Sequence, residues 1–103
     1  MTMMKKTTSR TIVAGMKILI QGRFLDEGET HEVKLALEVM SVSSKNSRGA
    51  KIRVEFAKGN EEEWGPRRNG YIFLKSTMIQ LIRRDGCWKL RITAPEGVEV
   101  TSE

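Results

Sequence analysis

Two incompatible folds fit the stretch Ser76-Thr-Met-Ile-Gln-Leu-Ile-Arg-Arg-Asp-Gly-Cys-Trp-Lys-Leu-Arg-Ile92, and the choice between them decides the fold of the chain. In the first, Ser76 or Thr77 caps an amphipathic helix, and Asp85-Gly86 ends it. The buried side of this helix is Met78, Leu81 and Ile82, at the i, i+3, i+4 spacing.

In the second interpretation, Asp85-Gly86 is the two-residue turn of a β-hairpin. The residues after it alternate in the manner of a strand, with Trp88, Leu90 and Ile92 on one side. The chain would then be an all-β small barrel of about six strands, like an OB or SH3 domain. We favour the helix, because Ile79 and Ile82 fall on opposite faces of a strand whereas the three apolar residues of the helix share one face.

Strict alternation predicts a strand over Lys51-Ile-Arg-Val-Glu-Phe56. Its inward row is Ile52, Val54 and Phe56, and its outward row is expected to be solvent-exposed and mostly basic. The apolar run Tyr71-Ile-Phe-Leu74 opens another strand after the turn-forming segments 59–64 and 65–70.

Two earlier strands are predicted over 16–24 and 33–42, and they pair antiparallel because only a short turn at 26–29 separates them. The predicted fold class is α+β, a twisted antiparallel sheet of about four strands followed by a helix. Residues 1–11 are polar and without period, which predicts a flexible basic arm. Residues 12–103 are predicted to form a single domain.

Charge and cysteine content narrow the function classes. A chain of 103 residues with a net charge of +5 favours a polyanionic partner such as nucleic acid. The single cysteine, Cys87, excludes an internal disulfide and a cysteine-rich zinc site, so a cytoplasmic or nucleoid-associated location is expected. No apolar run approaches the ~20 residues of a membrane span.

The order of strand, acidic turn, Gly65-Pro-Arg-Arg-Asn-Gly70, strand and Ser/Thr-started helix resembles the single-stranded-DNA-binding domain of the transcriptional coactivator positive cofactor four, a family with bacterial and phage relatives. The resemblance covers about residues 33–84, and its most specific part is 51–74. It implies a homodimer that binds single-stranded DNA without sequence specificity and acts in replication, recombination or transcription.

The candidate nucleic-acid-binding residues combine this resemblance with the residue types. By position in the family pattern, a basic loop contributes Lys45, Arg48 and Lys51. Spaced cations contact phosphates while an exposed aromatic ring stacks on bases, and Trp64 is a better candidate for stacking than the inward Phe56. The full set is Lys45, Arg48, Lys51, Arg53, Lys58, Trp64, Arg67, Arg68, Tyr71 and Lys75.

No catalytic constellation is present in the sequence. His31 is the only histidine and lies in an acidic turn, so we expect a surface residue and no enzyme, metal site or cofactor. Two alternatives to single-stranded DNA binding stay open. One is a small protein-interaction module or phage-type inhibitor that docks a host protein through its acidic zones and a sheet edge; the other is an RNA-binding β-barrel.

Overall fold

The computed structural model describes residues 4–42, 50–56, 61–64 and 71–102, and for Phe56, 61–64 and Tyr71 it describes the backbone alone. Nine β-strands account for nearly all of these residues, and none of them is helical. No helix that could span a membrane is therefore found in the part of the chain described. The strands are β1 Lys5–Thr11, β2 Lys17–Asp26, β3 Glu29–Val42, β4 Ala50–Phe56, β5 Glu61–Trp64, β6 Tyr71–Leu74, β7 Thr77–Arg84, β8 Cys87–Pro95 and β9 Val98–Ser102.

The strands form two antiparallel sheets. The four-stranded sheet has the order β1-β8-β7-β6, and the five-stranded sheet has the order β5-β4-β3-β2-β9. Each of β2–β3, β6–β7 and β7–β8 is a hairpin of sequential strands, whereas β1–β8 and β2–β9 join distant parts of the chain. The fold is therefore set by long-range as well as local pairing.

One hydrophobic core lies between the two sheets, so the architecture is a β-sandwich. Alternate residues of each central strand point into it, as the period of two requires. The five-stranded sheet contributes Ile18, Ile20, Phe24, Val33, Leu35, Leu37, Val39, Ala50, Ile52 and Val54. The four-stranded sheet contributes Ile79, Leu81, Trp88, Leu90 and Ile92.

The predicted helix, and with it the α+β fold class, is wrong. Thr77–Arg84 is strand β7, which pairs with β8 through the Asp85-Gly86 turn. Both turn residues have positive φ, 54° and 77°, as a type I′ hairpin turn requires. The residues buried on β7 are Thr77, Ile79 and Leu81, so Ile82 lies on the opposite, outer face. The helical spacing arose because apolar residues occupy both faces of this strand.

The segment predicted as a flexible basic arm contains an edge strand of the four-stranded sheet. Residues 5–11 form β1, which pairs in continuous register with β8 from Lys5↔Pro95 to Thr11↔Lys89. The Arg10 side chain crosses to the other sheet, where it donates to the Val100 carbonyl at 3.1 Å and to the Ser102 hydroxyl. One open edge of the sandwich is thereby closed.

The strands predicted over 16–24, 33–42 and 51–56 are confirmed as β2, β3 and β4, and the first two pair antiparallel as expected. At the end of β2 the backbone of β9 approaches very closely. A Cβ on Gly22 would lie 2.0 Å from the Gly97 carbonyl oxygen, and one on Gly97 would lie 2.2 Å from the Arg23 carbonyl oxygen. Only glycine fits at both positions, which holds β9 against β2.

Candidate nucleic-acid interface

Five of the ten sequence-predicted site residues lie outside the described part of the chain: Lys45, Arg48, Lys58, Arg67 and Arg68. Trp64 and Tyr71 end β5 and begin β6, respectively, with only their backbone described. The structure therefore gives the side-chain surroundings of three predicted residues, Lys51, Arg53 and Lys75.

Lys51 and Arg53 lie on the outer face of the five-stranded sheet, where acidic residues are interspersed. Arg53 stands opposite Glu38 across the strands, and Glu38 stands opposite Lys17. Arg23 and Glu32 on the same face form an ion pair at 3.5 Å. The described cations of this face are Lys17, Arg23, Lys34, Lys51 and Arg53, and the described carboxylates are Glu32, Glu38, Glu55 and Glu99. This face is nearly neutral and does not form the basic surface that was expected.

Lys75 lies in the two-residue turn between β6 and β7 of the four-stranded sheet, whereas Lys51 and Arg53 lie on β4 of the five-stranded sheet. Its ammonium group donates a hydrogen bond to the Glu32 carbonyl oxygen at 3.0 Å. It therefore ties the β6–β7 turn to β3 of the opposite sheet. The three described members of the predicted set are not brought together into one site.

The outer face of the four-stranded sheet is different, and we call it the cationic face. Its outward residues alternate with the core residues of β1, β6, β7 and β8, and no carboxylate is found among those described. Its cations are Lys5, Arg84, Lys89 and Arg91. Among the described residues, the excess of positive charge is therefore concentrated on this face of the sandwich.

Lys89 and Arg91 occupy the middle of the cationic face, on the central strand β8. Lys89 stands between Thr11 of β1 and Ile82 of β7. Arg91 stands between Ser9 and Gln80 in the next outward row. Neither cation has an acidic cross-strand neighbour, so their charge is not offset by the partners that stabilise ordinary sheet surfaces.

An exposed aromatic ring completes the cationic face. Phe73 of β6 is 62% exposed, and it begins an outward row that continues through Met78 and Thr93 to Thr7. The Thr7 and Thr93 hydroxyls are hydrogen-bonded to each other at 3.1 Å. The face thus combines a ring available for stacking, unpaired cations and hydroxyl groups, which are the components of a single-strand-binding surface.

Sequence reasoning missed Phe73, Arg84, Lys89 and Arg91 as one surface, although a signal for it was present. The alternation of Trp88, Leu90 and Ile92 with Cys87, Lys89 and Arg91 gives β8 a polar, basic side. The predicted helix replaced β7, which is the strand that lies between β8 and β6 and so connects the basic side of β8 with Phe73. The missing information was therefore the pairing of β7 with both neighbours.

The described residues contain no group of three or more side chains suited to a metal ion. His31 stacks against Phe24, with ring centroids 5.2 Å apart, and so serves packing. Cys87 is exposed as a free thiol at the end of the β7–β8 turn. No family model, curated protein or solved structure matches the chain.

Proposed function

We propose that the protein binds single-stranded nucleic acid through the cationic face, without preference for a base sequence. The observation that carries the proposal is the union of unpaired Lys89 and Arg91 with the exposed Phe73 on one acid-free sheet surface. A β-sheet with an exposed ring and adjacent cations suits bases that are splayed out on it, with phosphates held beside them.

Physical chemistry favours weak sequence specificity. Stacking accepts any base because every base has a π-face, and phosphate contacts carry no sequence information. The described residues contain no helix that could enter a DNA major groove. Affinity arising from counterion release falls with salt, by a slope of about 0.7 per phosphate contact for a single strand.

The resemblance to positive cofactor four included a helix after Ser76, and that segment is strand β7. The proposal therefore rests on the cationic face and does not need that family. A role in replication, recombination or transcription rests on that resemblance alone, whereas the partner that the cationic face suits is single-stranded DNA or RNA. We also propose a location in the reducing cytoplasm or on the nucleoid, as is common for a chain with a single cysteine.

The proposal is tested by fluorescence anisotropy with a labelled DNA strand, the RNA strand of the same sequence, and the matching DNA duplex, each at low and moderate salt. The expected result is salt-sensitive binding with either single strand preferred over the duplex. Preference between the DNA and the RNA strand then identifies the partner. Equal or absent binding to all three would refute the proposal.

A protein-docking function is a second candidate, and a depression of about 280 Å³ on the outer face of the five-stranded sheet favours it. Its lining combines the outward apolar residues Leu19 and Ala36 with cations and carboxylates: Lys17, Arg53, Glu38 and Glu55. An apolar centre with a charged rim is the composition of a protein interface. Replacing Leu19 and Ala36 with Glu should abolish capture of a protein partner and leave oligonucleotide binding unchanged; the reverse result would reject this candidate.

A further inference from the structure

The two sheets present four edge strands, and three of them are protected against pairing with another chain. Lys5, Lys6 and Arg10 make β1 basic, and charged residues, lysine above all, are a common protection of edges. The Arg10 guanidinium of β1 donates to the Val100 carbonyl oxygen of the edge strand β9. The sequence of β5 contains three successive glutamates, Glu61–Glu63.

The fourth edge, β6, lacks such protection. Its sequence is Tyr71-Ile-Phe-Leu74, without a charge, and no described strand pairs with it on the side away from β7. Ile72 and Leu74 point toward the core but are only partly buried. An uncharged edge strand of this kind is a template for another strand.

The hairpin geometry shows which backbone groups of β6 face outward. Lys75 and Ser76 both have positive φ, 43° and 62°, and form a two-residue type I′ turn. Leu74 and Thr77 flank this turn as a hydrogen-bonded pair, so the next pair, Phe73 and Met78, is not hydrogen-bonded. The Phe73 N–H and C=O therefore point away from β7, toward the free edge, and those of Tyr71 do the same.

We propose that β6 pairs antiparallel with β6 of a second copy of this chain, across a two-fold axis. In the matching register Ile72 stands opposite its own copy, and Phe73 of each chain exchanges backbone hydrogen bonds with Tyr71 of the other. A second copy is the fitting occupant because its β6 is equally short and uncharged. The same pairing between two β1 edges would set lysines against lysines, and between two β5 edges glutamates against glutamates.

This pairing joins the two four-stranded sheets into one continuous sheet of eight strands. The partly buried Ile72 side chains of the two chains then pack against each other on the core side, which removes more apolar surface from water. The two cationic faces become one surface with both Phe73 rings near its centre. The interface itself stands on the properties of the edge and does not require nucleic acid.

The test is sedimentation velocity on the full chain without nucleic acid, combined with amide hydrogen exchange. The expected mass is twice the 11.7 kDa of the chain. The Phe73 amide, which has no acceptor among the described residues of its own chain, should exchange slowly, and faster on dilution. Phe73→Pro removes the outward N–H without removing a β6–β7 hydrogen bond, and should give a folded monomer. Phe73→Ala keeps the N–H and should remain a dimer.

A monomer at all soluble concentrations, or a Phe73 amide that exchanges fast at every concentration, would overturn the proposal. So would Phe73→Pro that folds and remains a dimer. The exchange measurement on the unaltered chain decides the matter if Phe73→Pro does not fold. A dimer that binds no oligonucleotide upholds this interface and refutes the nucleic-acid proposal, whereas a monomer that binds the oligonucleotide does the reverse.

Discussion

Replacing Thr77 with Val should stabilise the protein, and the sign of this change distinguishes the sandwich from a fold with a helix after Ser76. Thr77 is only 1% exposed at the start of β7, and its hydroxyl oxygen has no hydrogen-bond partner. A buried polar group left unpaired costs about 1–3 kcal/mol. Valine has nearly the same shape and lacks the hydroxyl, so we expect a gain of about 1 kcal/mol or more in the free energy of unfolding.

If Thr77 capped a helix instead, its hydroxyl would accept a hydrogen bond from the backbone, and the same substitution would cost about 1 kcal/mol. The first assay is urea unfolding followed by circular dichroism and tryptophan fluorescence, which gives the free energy of unfolding. A thermal melt is the second, and its Tm should rise by roughly 4–8 °C per kcal/mol for a domain of this size. Thr93→Val is the matched control. The Thr93 hydroxyl is hydrogen-bonded to Thr7 on the outer face, so this variant should gain nothing. A Thr77→Val protein less stable than the unaltered chain would refute the reasoning.

Three further predictions concern stacking, close backbone approach and closure of the sandwich. Phe73→Ala should weaken single-strand binding about 5–150-fold, because the loss of one stacked base is worth about 1–3 kcal/mol. Its circular dichroism should be unchanged, and an unaltered affinity would exclude the ring from the site. Gly22→Ala should destabilise by more than about 4 kcal/mol, because its Cβ would lie 2.0 Å from the Gly97 carbonyl oxygen, and a thermal melt close to that of the unaltered chain would contradict this. Arg10→Met keeps the apolar stem of the side chain but loses its two hydrogen bonds to β9, so the free energy of unfolding should fall by about 1.5–3 kcal/mol and the urea midpoint should fall with it. An unchanged midpoint would mean that other contacts close this edge.

The strands with a strict period of two were predictable from the sequence. In β2, β3 and β4 every inward position is apolar or glycine across the central residues, and the outward positions are mostly polar. A pattern of this kind is compatible with only one register of faces. These three strands form the centre of the five-stranded sheet, so that half of the sandwich followed from local pattern alone.

The four-stranded sheet was harder to predict, because β1 and β7 do not separate polar from apolar residues by face, although β8 does. In β7 a threonine is buried, while Met78 and Ile82 lie on the outer face. In β1 the residues facing the core include Thr8 and Arg10, and their place in a strand depends on pairing with β8, some eighty residues later. Non-local pairing of this kind leaves little trace in a window of sequence.

For the candidate site, the sequence predicted only the class of ligand and the residue types. A basic chain with aromatic residues indicated nucleic acid, and that expectation remains as the proposal. The predicted residues Arg53 and Lys75 lie outside the cationic face: Arg53 stands opposite Glu38 across the strands, and Lys75 donates to the Glu32 carbonyl oxygen. Which cations lack acidic neighbours is a property of strand order, and strand order was not determined by the sequence pattern.

The most direct test of the cationic face is the salt dependence of single-strand binding in two variants of equal net charge. Lys89→Gln with Arg91→Gln removes two cations from that face, and Lys17→Gln with Lys34→Gln removes two from the outer face of the five-stranded sheet. We predict weaker binding for the first variant and a slope of log affinity against log salt that is shallower by about 1.4, with the second close to the unaltered chain. Equal effects of the two variants, or a larger effect of the second, would contradict the central claim.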